Sequence, residues 1–327
     1  MRCLFCGKEL KKAGDPTESA SQWHSRCSEI FFGSRQVPRL NVSQSQLEEL
    51  ATETVLKGMT VPGVQKKLSL HLSQDNTLHR LTVIDYPSGY ILKPQSEDFA
   101  ALPEFEDLAM RLAGITGIKT VPFGLIRTGS DYSYITRRID RCFHDGEVQL
   151  LAMEDFCQLG LRLTMDKYRS SYERCVKIIR KYSAMEKLDL SELLIRVVFS
   201  FVIGNSDMHL KNFSLIEDRP GSRKFTLSAA YDILPVNLIM PEDKEELALP
   251  LNGKKQNLTR NDFLLLAELC LLPKRSGEKI IDRICSLENK YMEEIERSYL
   301  SEDNKDAFRN LIRRRIQRLQ KPNQDEI

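Results

Sequence analysis

The chain has 327 residues, of which 41% are hydrophobic and 29% are charged, and its formal net charge is only +2. This length predicts two lobes or domains rather than a single core. The composition is that of a globular protein, and the small net charge gives no reason to expect binding to nucleic acid or to a membrane.

The sequence carries no visible targeting or membrane signal. Its start, "MRCLFCGKEL", lacks the apolar run of a secretory signal. The longest apolar stretch, about residues 193–203, contains Arg196 and is far shorter than the roughly 20 residues that a membrane span needs. The eight cysteines are too dispersed for a disulfide scaffold, which predicts a reducing, cytoplasmic location.

Residues 1–42 are predicted to form a small zinc-knuckle segment. Cys3 and Cys6 are separated by two residues, and so are His24 and Cys27. Together they would make a closed Cys₃His site, which is typical of structural zinc. The segment has little core of its own, so a metal could supply its folding energy. The alternative is four unmetallated side chains in a terminal tail.

Residues 43–145 are predicted to form a β-rich lobe. Ser43 and Gly58 suit the start and the end of a first helix over 43–58, and a second helix is predicted over 102–117. Strands are predicted from period-two alternation and apolar runs. They cover residues 66–74, 78–85, 88–94, 120–127 and 132–140.

Residues 146–327 are predicted to be mostly helical. Helices are predicted over residues 153–163, 171–184, 190–204 and 304–320, with a strand pair at 213–218 and 224–233. A β-rich lobe followed by a helical lobe is the order of a bilobal kinase. The predicted fold class is therefore α+β, with a bilobal protein-kinase-like fold preceded by the small N-terminal segment.

A polar loop directly follows the apolar helix, in "FSFVIGNSDMHLKNFSLI". Asp207 and Asn212 have the D-x4-N spacing with which kinases orient a substrate hydroxyl and bind Mg²⁺. Asp232, at the end of a strand-like run, could complete a site of hard oxygen ligands. Taken alone, the spacing also fits a helix end followed by an ordinary polar turn.

Two features upstream favour the phosphoryl-transfer interpretation. Lys93 ends a predicted strand, and Glu106 lies on the following helix, as in the strand lysine and helix glutamate pair of kinases. Both could equally be solvated surface residues. The stretch over 60–70 joins a helix to a strand and could hold phosphates, but its single glycine, Gly63, also fits an ordinary turn.

Seven blocks of sequence in one order resemble the HipA-like serine/threonine kinases, the toxins of bacterial toxin–antitoxin systems. They are "VPGVQKKLSLHL", "GYILKP", "LPEFEDLAMRLA", "YITRRIDR", "MEDFCQL", "GNSDMHLKNFSLI" and "AAYDILP". The resemblance covers roughly residues 48 to 320, and "GNSDMHLKNFSL" is its most specific part. It implies a protein kinase that uses ATP and Mg²⁺.

The resemblance also implies roles for individual residues. Asp207 would be the catalytic base, Asn212 and Asp232 the Mg²⁺ ligands, and Lys93 the lysine on the ATP phosphates, paired with Glu106. The loop over the phosphates would be Pro62, Gly63, Val64, Gln65, Lys66 and Lys67. Arg137, Arg138 and Ile139 would meet the adenine through their backbone. His209, Lys211 and Tyr231 would lie beside ATP, although each could instead only brace the loop or pack.

The chain departs from the family pattern at two places. The extra small N-terminal subdomain of larger members is not expected here, and the chain resembles the short HipT type, which has separate HipS and HipB partner proteins. The family autophosphorylates a serine before the phosphate loop, and Thr60 stands at that position here. A phosphate on Thr60 would add about two negative charges beside ATP and act as a switch.

The resemblance further implies an aminoacyl-tRNA synthetase as the substrate, and hence inhibition of translation. A small-molecule phosphotransferase and a catalytically dead regulatory subunit of an antitoxin–DNA complex remain as alternatives. The C-terminal helix carries Arg313, Arg314, Arg315 and Arg318. These arginines could bind an acidic partner or form a solvated face.

Overall fold

A computed structural model describes residues 1–10, 16–40, 67–75, 78–82, 89–144 and 147–320. The chain divides into two compact units, and each is described below by itself. Unit 1 comprises Met1–Asp107 and Val121–Arg141, and unit 2 comprises Leu108–Thr120 and Cys142–Ile327. The predicted helix over 43–58 lies outside the described residues.

Unit 1 is built around a five-stranded antiparallel sheet with the strand order β2-β1-β3-β5-β4. The strands are β1 (Leu68–Asp75), β2 (Leu78–Thr82), β3 (Tyr90–Lys93), β4 (Phe123–Thr128) and β5 (Asp131–Arg137). Leu68, Leu70 and Leu92 are fully buried, which is the apolar side of the alternation visible in the sequence. This sheet and the helical second unit confirm the predicted fold class.

The described N-terminal residues 1–10 and 16–40 contain two short helices, α1 (Pro16–Ser21) and α2 (Ser25–Phe32). Trp23, between them, is buried and contacts Phe5, Phe31 and Phe32 through its ring. Phe31 in turn packs on Tyr90 of β3 with ring centroids 5.6 Å apart. The segment is thus packed against the sheet of unit 1 by a cluster of aromatic side chains.

Helix α3 (Leu102–Thr116) follows β3. Its residues up to Asp107 belong to unit 1 and those from Leu108 to unit 2. The helix ends at Gly117, whose φ of 93° lies in the left-handed region. The helix therefore covers the predicted range 102–117 to within one residue.

Unit 2 is mainly helical, as the sequence predicts. Its helices after α3 are α4 (Phe156–Leu159), α5 (Tyr172–Tyr182), α6 (Glu186–Ile203), α7 (Val236–Ile239), α8 (Arg260–Leu269), α9 (Lys274–Ser286), α10 (Glu288–Arg297) and α11 (Glu302–Gln320). The β6 strand (Arg141–His144) pairs with β7 (Glu147–Leu150). Strands β8 (Met153–Asp155), β9 (Ser214–Glu217) and β10 (Phe225–Leu227) form a second small sheet.

One helix boundary predicted from the sequence is wrong. The helix expected over 153–163 is a strand at Met153–Asp155 and a single helical turn at Phe156–Leu159. Asp155 pairs with Ser214 of β9 and then caps α4, because its side chain accepts a hydrogen bond from the backbone N–H of Gln158. Pairing with a strand distant in sequence outweighs the local helical pattern.

Helix α6 is the core helix of unit 2. Almost all of its last eleven residues are buried, including the side chain of Arg196, which is 2% exposed. This guanidinium donates to Glu192 Oε1 at 2.9 Å and to the Ser228 carbonyl at 2.7 Å, so the buried charge is paired. Within the described part of the chain, no helix has the length and apolarity to cross a bilayer.

Some arginines of the basic run in α11 are paired with acidic residues inside unit 2. Arg315 and Arg318 both contact the carboxylate of the buried Glu246, at 2.9 Å and 2.5 Å. Burial lowers the pKa of Arg315 to about 10, although Glu246 opposes that shift. Arg313 lies 3.5 Å from Glu288. The run is therefore tied into unit 2 by acidic residues of the same chain.

Helix α6 ends at Gly204, and this glycine allows a specific stability prediction. Its φ is +73°, and a Cβ there would lie 2.6 Å from Leu311 Cδ2. We expect Gly204→Ala to lower the free energy of unfolding by about 2–4 kcal/mol, from the left-handed backbone and overpacking together. Urea unfolding followed by circular dichroism measures it.

Gly221 provides the matched control for this prediction. It has the same φ of +73°, but a Cβ at this position would meet no described atom within 4 Å. Gly221→Ala should therefore lower the free energy of unfolding only by the cost of the left-handed backbone, about 1–2 kcal/mol. Equal losses in the two variants would show that the contact between Gly204 and α11 does not constrain the loop.

Candidate active site

The loop after α6 is held by hydrogen bonds on both sides of Asp207. The Asp207 N–H donates to Asn205 Oδ1 at 3.0 Å, and the Asp207 carbonyl accepts from Asn212 Nδ2 at 2.9 Å. The N–H of His209 donates to the same carbonyl at 2.8 Å. The backbone of Asp207 is thus fixed, while its side chain remains 40% exposed and accessible to a substrate.

Asn212 is oriented by this network. Its side chain is buried and donates through Nδ2, so Oδ1 is the atom that can accept a hydrogen bond or bind a cation. An amide oxygen suits a hard cation such as Mg²⁺, which prefers oxygen ligands. The donor chemistry of this loop therefore fits the metal that the sequence predicts.

Asp232 belongs to the same electrostatic neighbourhood. Burial is the main influence on both neighbours and raises the pKa of Tyr168 but lowers that of His209, and the negative charge of Asp232 adds a smaller upward influence on each. The backbone at Asp232 has a φ of 60°, in the left-handed region that non-glycine residues rarely adopt. Two residues before Asp232, the backbone is held because the N–H of Ala230 donates to the Lys119 carbonyl at 2.7 Å. Such held strain is common at functional sites.

His209 is a buried, neutral member of the loop. Burial lowers its pKa, although Asp207, 3.9 Å from Nε2, opposes that shift. Nδ1 is buried and makes no hydrogen bond with any residue in the described ranges. A buried polar atom in that state costs free energy unless water, an ion or a ligand pairs with it.

Tyr168 is a site residue that the sequence did not reveal. Its hydroxyl donates a hydrogen bond to Asp207 Oδ1, and its ring meets His209 edge-on with centroids 5.0 Å apart. Burial, followed by the charge of Asp207, raises the pKa of Tyr168, so the hydroxyl stays protonated and acts as the donor. No motif marks this contact, because it joins residues 39 positions apart.

Lys211 and Tyr231 have internal partners. Lys211 Nζ lies 2.8 Å from Asp155 Oδ2, the carboxylate that caps α4. The Tyr231 hydroxyl donates to the Lys211 carbonyl at 3.0 Å and also contacts Ser214 Oγ. Both residues therefore brace the loop, and their contact with ATP stays a prediction.

The predicted lysine–glutamate pair is present in unit 1. Lys93 Nζ forms an ion pair with Glu106 Oε1, and the two side chains are 4% and 0% exposed. Lys93 Nζ also lies 5.3 Å from the ring centroid of Tyr134. The interaction between the charges is strong because both are removed from water. The structure thus joins these two residues, and their role with nucleotide stays a prediction.

The segment predicted to meet adenine follows β5. The N–H of Arg137 donates to the Pro122 carbonyl and that of Arg138 to the Gly89 carbonyl, both at 2.9 Å. The Arg138 guanidinium donates two hydrogen bonds to the Asp140 carboxylate, at 2.9 and 2.6 Å. These contacts fix the backbone that precedes Ile139 and link the side chains of the residues on either side of it.

The remaining predicted site residues divide between described and undescribed parts of the chain. Lys67 is half-buried and directly precedes β1. The other members of the predicted phosphate loop, Pro62, Gly63, Val64, Gln65 and Lys66, and the predicted phosphosite Thr60 lie outside the described residues. Cys3, Cys6, His24 and Cys27 are brought together in unit 1, with one ligand atom from each within 4.8 Å of the others.

Comparison with known families and proteins gives consistent results. A model of the HipA-like C-terminal domain matches residues 59–291. The putative kinase Y4mE of Sinorhizobium fredii is 30% identical over 66% of this chain and 52% of its own length, so the chain spans about half of that relative. A putative kinase of Haemophilus influenzae is 24% identical over 83% of this chain and 84% of its own length.

Two solved structures share the fold. HipA from the Shewanella oneidensis complex of HipA, HipB and operator DNA has a TM-score of 0.66 at 20% identity, over 82% of this chain and 70% of its own. The Helicobacter pylori proinflammatory kinase CtkA has a TM-score of 0.52 at 16% identity, over 77% of this chain and 93% of its own. At these identities the likeness concerns the fold alone.

Proposed function

The chain belongs to the HipA-like C-terminal domain family, and from that membership we propose that it is an ATP- and Mg²⁺-dependent serine/threonine protein kinase. The observation that carries the proposal is the loop of unit 2, where Asp207 is fixed through its backbone and Asn212 is held by Nδ2. Asp232, held in a left-handed backbone conformation, is the proposed second metal ligand. This is the residue set that phosphoryl transfer needs.

In the proposed reaction Asp207 accepts the proton of a substrate serine or threonine hydroxyl. That oxygen attacks the γ-phosphorus of ATP in line, a new O–P bond forms, and the bond to the β–γ bridging oxygen breaks to release ADP. Bound Mg²⁺ would neutralise phosphate charge, with Asn212 Oδ1 and the Asp232 carboxylate as its ligands. Tyr168 would orient the Asp207 carboxylate through its hydrogen bond.

Lys93 supplies positive charge to the α- and β-phosphates in this proposal, and Glu106 holds the lysine in place. The loop around Pro62–Lys67 would cover the phosphates, and the backbone of Arg137, Arg138 and Ile139 would meet the adenine. The Lys93–Glu106 pair lies in unit 1 and Asp207 in unit 2. Their joint action on one nucleotide is therefore part of the proposal.

We further propose that the kinase is the toxin of a HipA/HipT-type toxin–antitoxin system in the bacterial cytoplasm. The support is family membership and the fold shared with a HipA that was solved with HipB and operator DNA. The partners would be a HipB-like DNA-binding antitoxin and a HipS-like small protein. An aminoacyl-tRNA synthetase would be the substrate, and Thr60 the autophosphorylation site.

Transfer of label from γ-³²P-ATP into a bacterial lysate tests the proposed activity. We expect label in a protein, on serine or threonine, when wild-type enzyme and Mg²⁺ are present. Label confined to small molecules would instead support a small-molecule phosphotransferase. If wild type and Asp207→Asn gave the same amount of labelled product, the result would support a catalytically dead regulatory subunit.

The contact between Tyr168 and Asp207 predicts a positioning effect. We expect Tyr168→Phe to lower kcat by about 10- to 150-fold and to leave the KM for ATP unchanged, since a hydrogen bond to a charged group contributes roughly 1.5–3 kcal/mol. Tyr182→Phe is the matched control, because both tyrosines are 38% exposed and have a lysine Nζ over the ring. Equal activities of the two variants would contradict the role of Tyr168.

A further inference from the structure

We propose that Cys3, Cys6, His24 and Cys27 bind one zinc ion as a closed structural site, and that this site fastens the N-terminal segment to the edge strand β4. The N-terminal segment denotes the described residues 1–10 and 16–40. The proposal does not depend on the kinase activity, because none of its residues belongs to the candidate active site.

The ligand atoms have the spacing of a tetrahedral site. His24 Nδ1 lies 3.4 Å from Cys6 Sγ and 3.7 Å from Cys27 Sγ, and the whole set falls within 4.8 Å. Zinc–sulfur bonds of about 2.3 Å in a tetrahedron place two ligand atoms about 3.8 Å apart. Three sulfurs and one imidazole select zinc over Mg²⁺ or Ca²⁺, which prefer oxygen.

Groups around the cluster orient its ligands. His24 Nε2 lies 3.2 Å from the Glu9 carbonyl, and donation of the Nε2 proton to that oxygen leaves Nδ1 as the atom facing the sulfurs. The backbone N–H of His24 donates to Cys3 Sγ at 3.4 Å. A carbonyl behind a ligating histidine and an N–H directed at sulfur are the outer contacts expected of a metal site.

The residues next to the ligands make the contacts with the sheet. The carbonyl of Leu4, which follows Cys3, accepts a hydrogen bond from the Leu125 N–H at 3.1 Å. The Nε1–H of Trp23, which precedes His24, donates to the Leu125 carbonyl at 2.9 Å. Leu125 lies in β4, the last strand of the sheet. The segment therefore satisfies backbone groups that an edge strand would otherwise expose.

The segment needs such a fastening because its own structure is small. Helices α1 and α2 have six and eight residues, and isolated helices of that length are unstable in water. All four protein ligands are supplied by the cluster, so no coordination position is left for catalysis. Binding free energy of the metal would therefore appear as folding free energy of the segment.

The single tryptophan of the chain makes the proposal directly measurable. Trp23 is 1% exposed and precedes the ligand His24. We expect the purified full chain to contain one zinc per molecule. A strong zinc chelator should shift Trp23 emission to the red and lower Tm by about 5–10 °C, and added zinc(II) should reverse both changes. Cobalt(II) should give the absorption bands of a tetrahedral thiolate site.

Two cysteine variants separate metal binding from general loss of a thiol. Cys6→Ser should lose the zinc and show red-shifted Trp23 emission without chelator, while Cys142→Ser, a free cysteine outside the cluster, should behave as wild type. Because Cys6→Ser could fail to fold, the chelation experiment on wild type stands as the second measurement. A chain without bound zinc, whose Trp23 emission and Tm respond neither to chelator nor to zinc, would overturn the proposal.

A third variant tests the docking surface rather than the ligands. A Cβ at Gly124 of β4 would lie 3.0 Å from Trp23 Cζ2 and 3.2 Å from the Leu4 carbonyl. Gly124→Leu should therefore displace Trp23 and shift its emission to the red even in excess zinc. Unchanged emission in this variant would show that the segment does not dock on β4 as proposed.

Discussion

Replacement of Asp207 by Asn should lower the rate of phosphoryl transfer by about 10²- to 10⁴-fold, the usual contribution of a general base. The backbone of Asp207 carries the hydrogen bonds to Asn205, His209 and Asn212, so the loop should keep its shape in the variant. Affinity for Mg–ATP should change little, because Asp207 acts on the substrate hydroxyl. Single-turnover transfer from γ-³²P-ATP measures the rate, and calorimetry measures the binding.

Asp303→Asn is the control for that experiment. Asp303 is an exposed aspartate in the first turn of α11, and its replacement should leave transfer unchanged. If Asp207→Asn transferred phosphate as fast as the wild type and as Asp303→Asn, the role of Asp207 as catalytic base would be wrong.

Replacement of Lys93 by Met should affect both stability and activity. The variant leaves the carboxylate of Glu106, which is 0% exposed, without the lysine charge, and removal of one partner of a buried pair typically costs about 3–5 kcal/mol. It also removes the proposed charge on the ATP phosphates. We therefore expect a lower free energy of unfolding in urea, and phosphoryl transfer close to background.

The double variant Lys93→Met/Glu106→Leu separates these two effects. Replacement of a buried ion pair by apolar side chains of similar volume is often neutral for stability, so most of the lost free energy of unfolding should return. Activity should not return, because the ammonium group is still missing. A stable double variant with wild-type activity would show that the pair is only a structural element of unit 1.

The sequence predicted features that depend on short-range patterns. The alternation around Leu68 and Leu70 predicts β1, and the spacing of the paired ligands around Cys3 and His24 predicts that they converge. Lys93 and Glu106 lie at the end of a strand and on the next helix, where a kinase-like fold brings them together. In each case the information is contained in one or two neighbouring elements.

Features that depend on distant pairing could not be predicted in the same way. Met153–Asp155 has a helical pattern, but its partner strand β9 lies far along the chain, as in the pair Met153 and Ile216. Tyr168 contacts Asp207 across a loop that carries no motif. The arginines of α11 look like a surface run until the buried Glu246 is placed beside Arg315 and Arg318.

Phosphoproteomics of cells that express the chain tests the central claim most directly, because it reads the product in its natural setting. The account predicts a serine or threonine of one cellular protein that becomes phosphorylated with wild type and stays unmodified with Asp207→Asn, at equal expression. Identical phosphosite occupancy in both cultures would contradict the claim that Asp207 makes this chain a protein kinase.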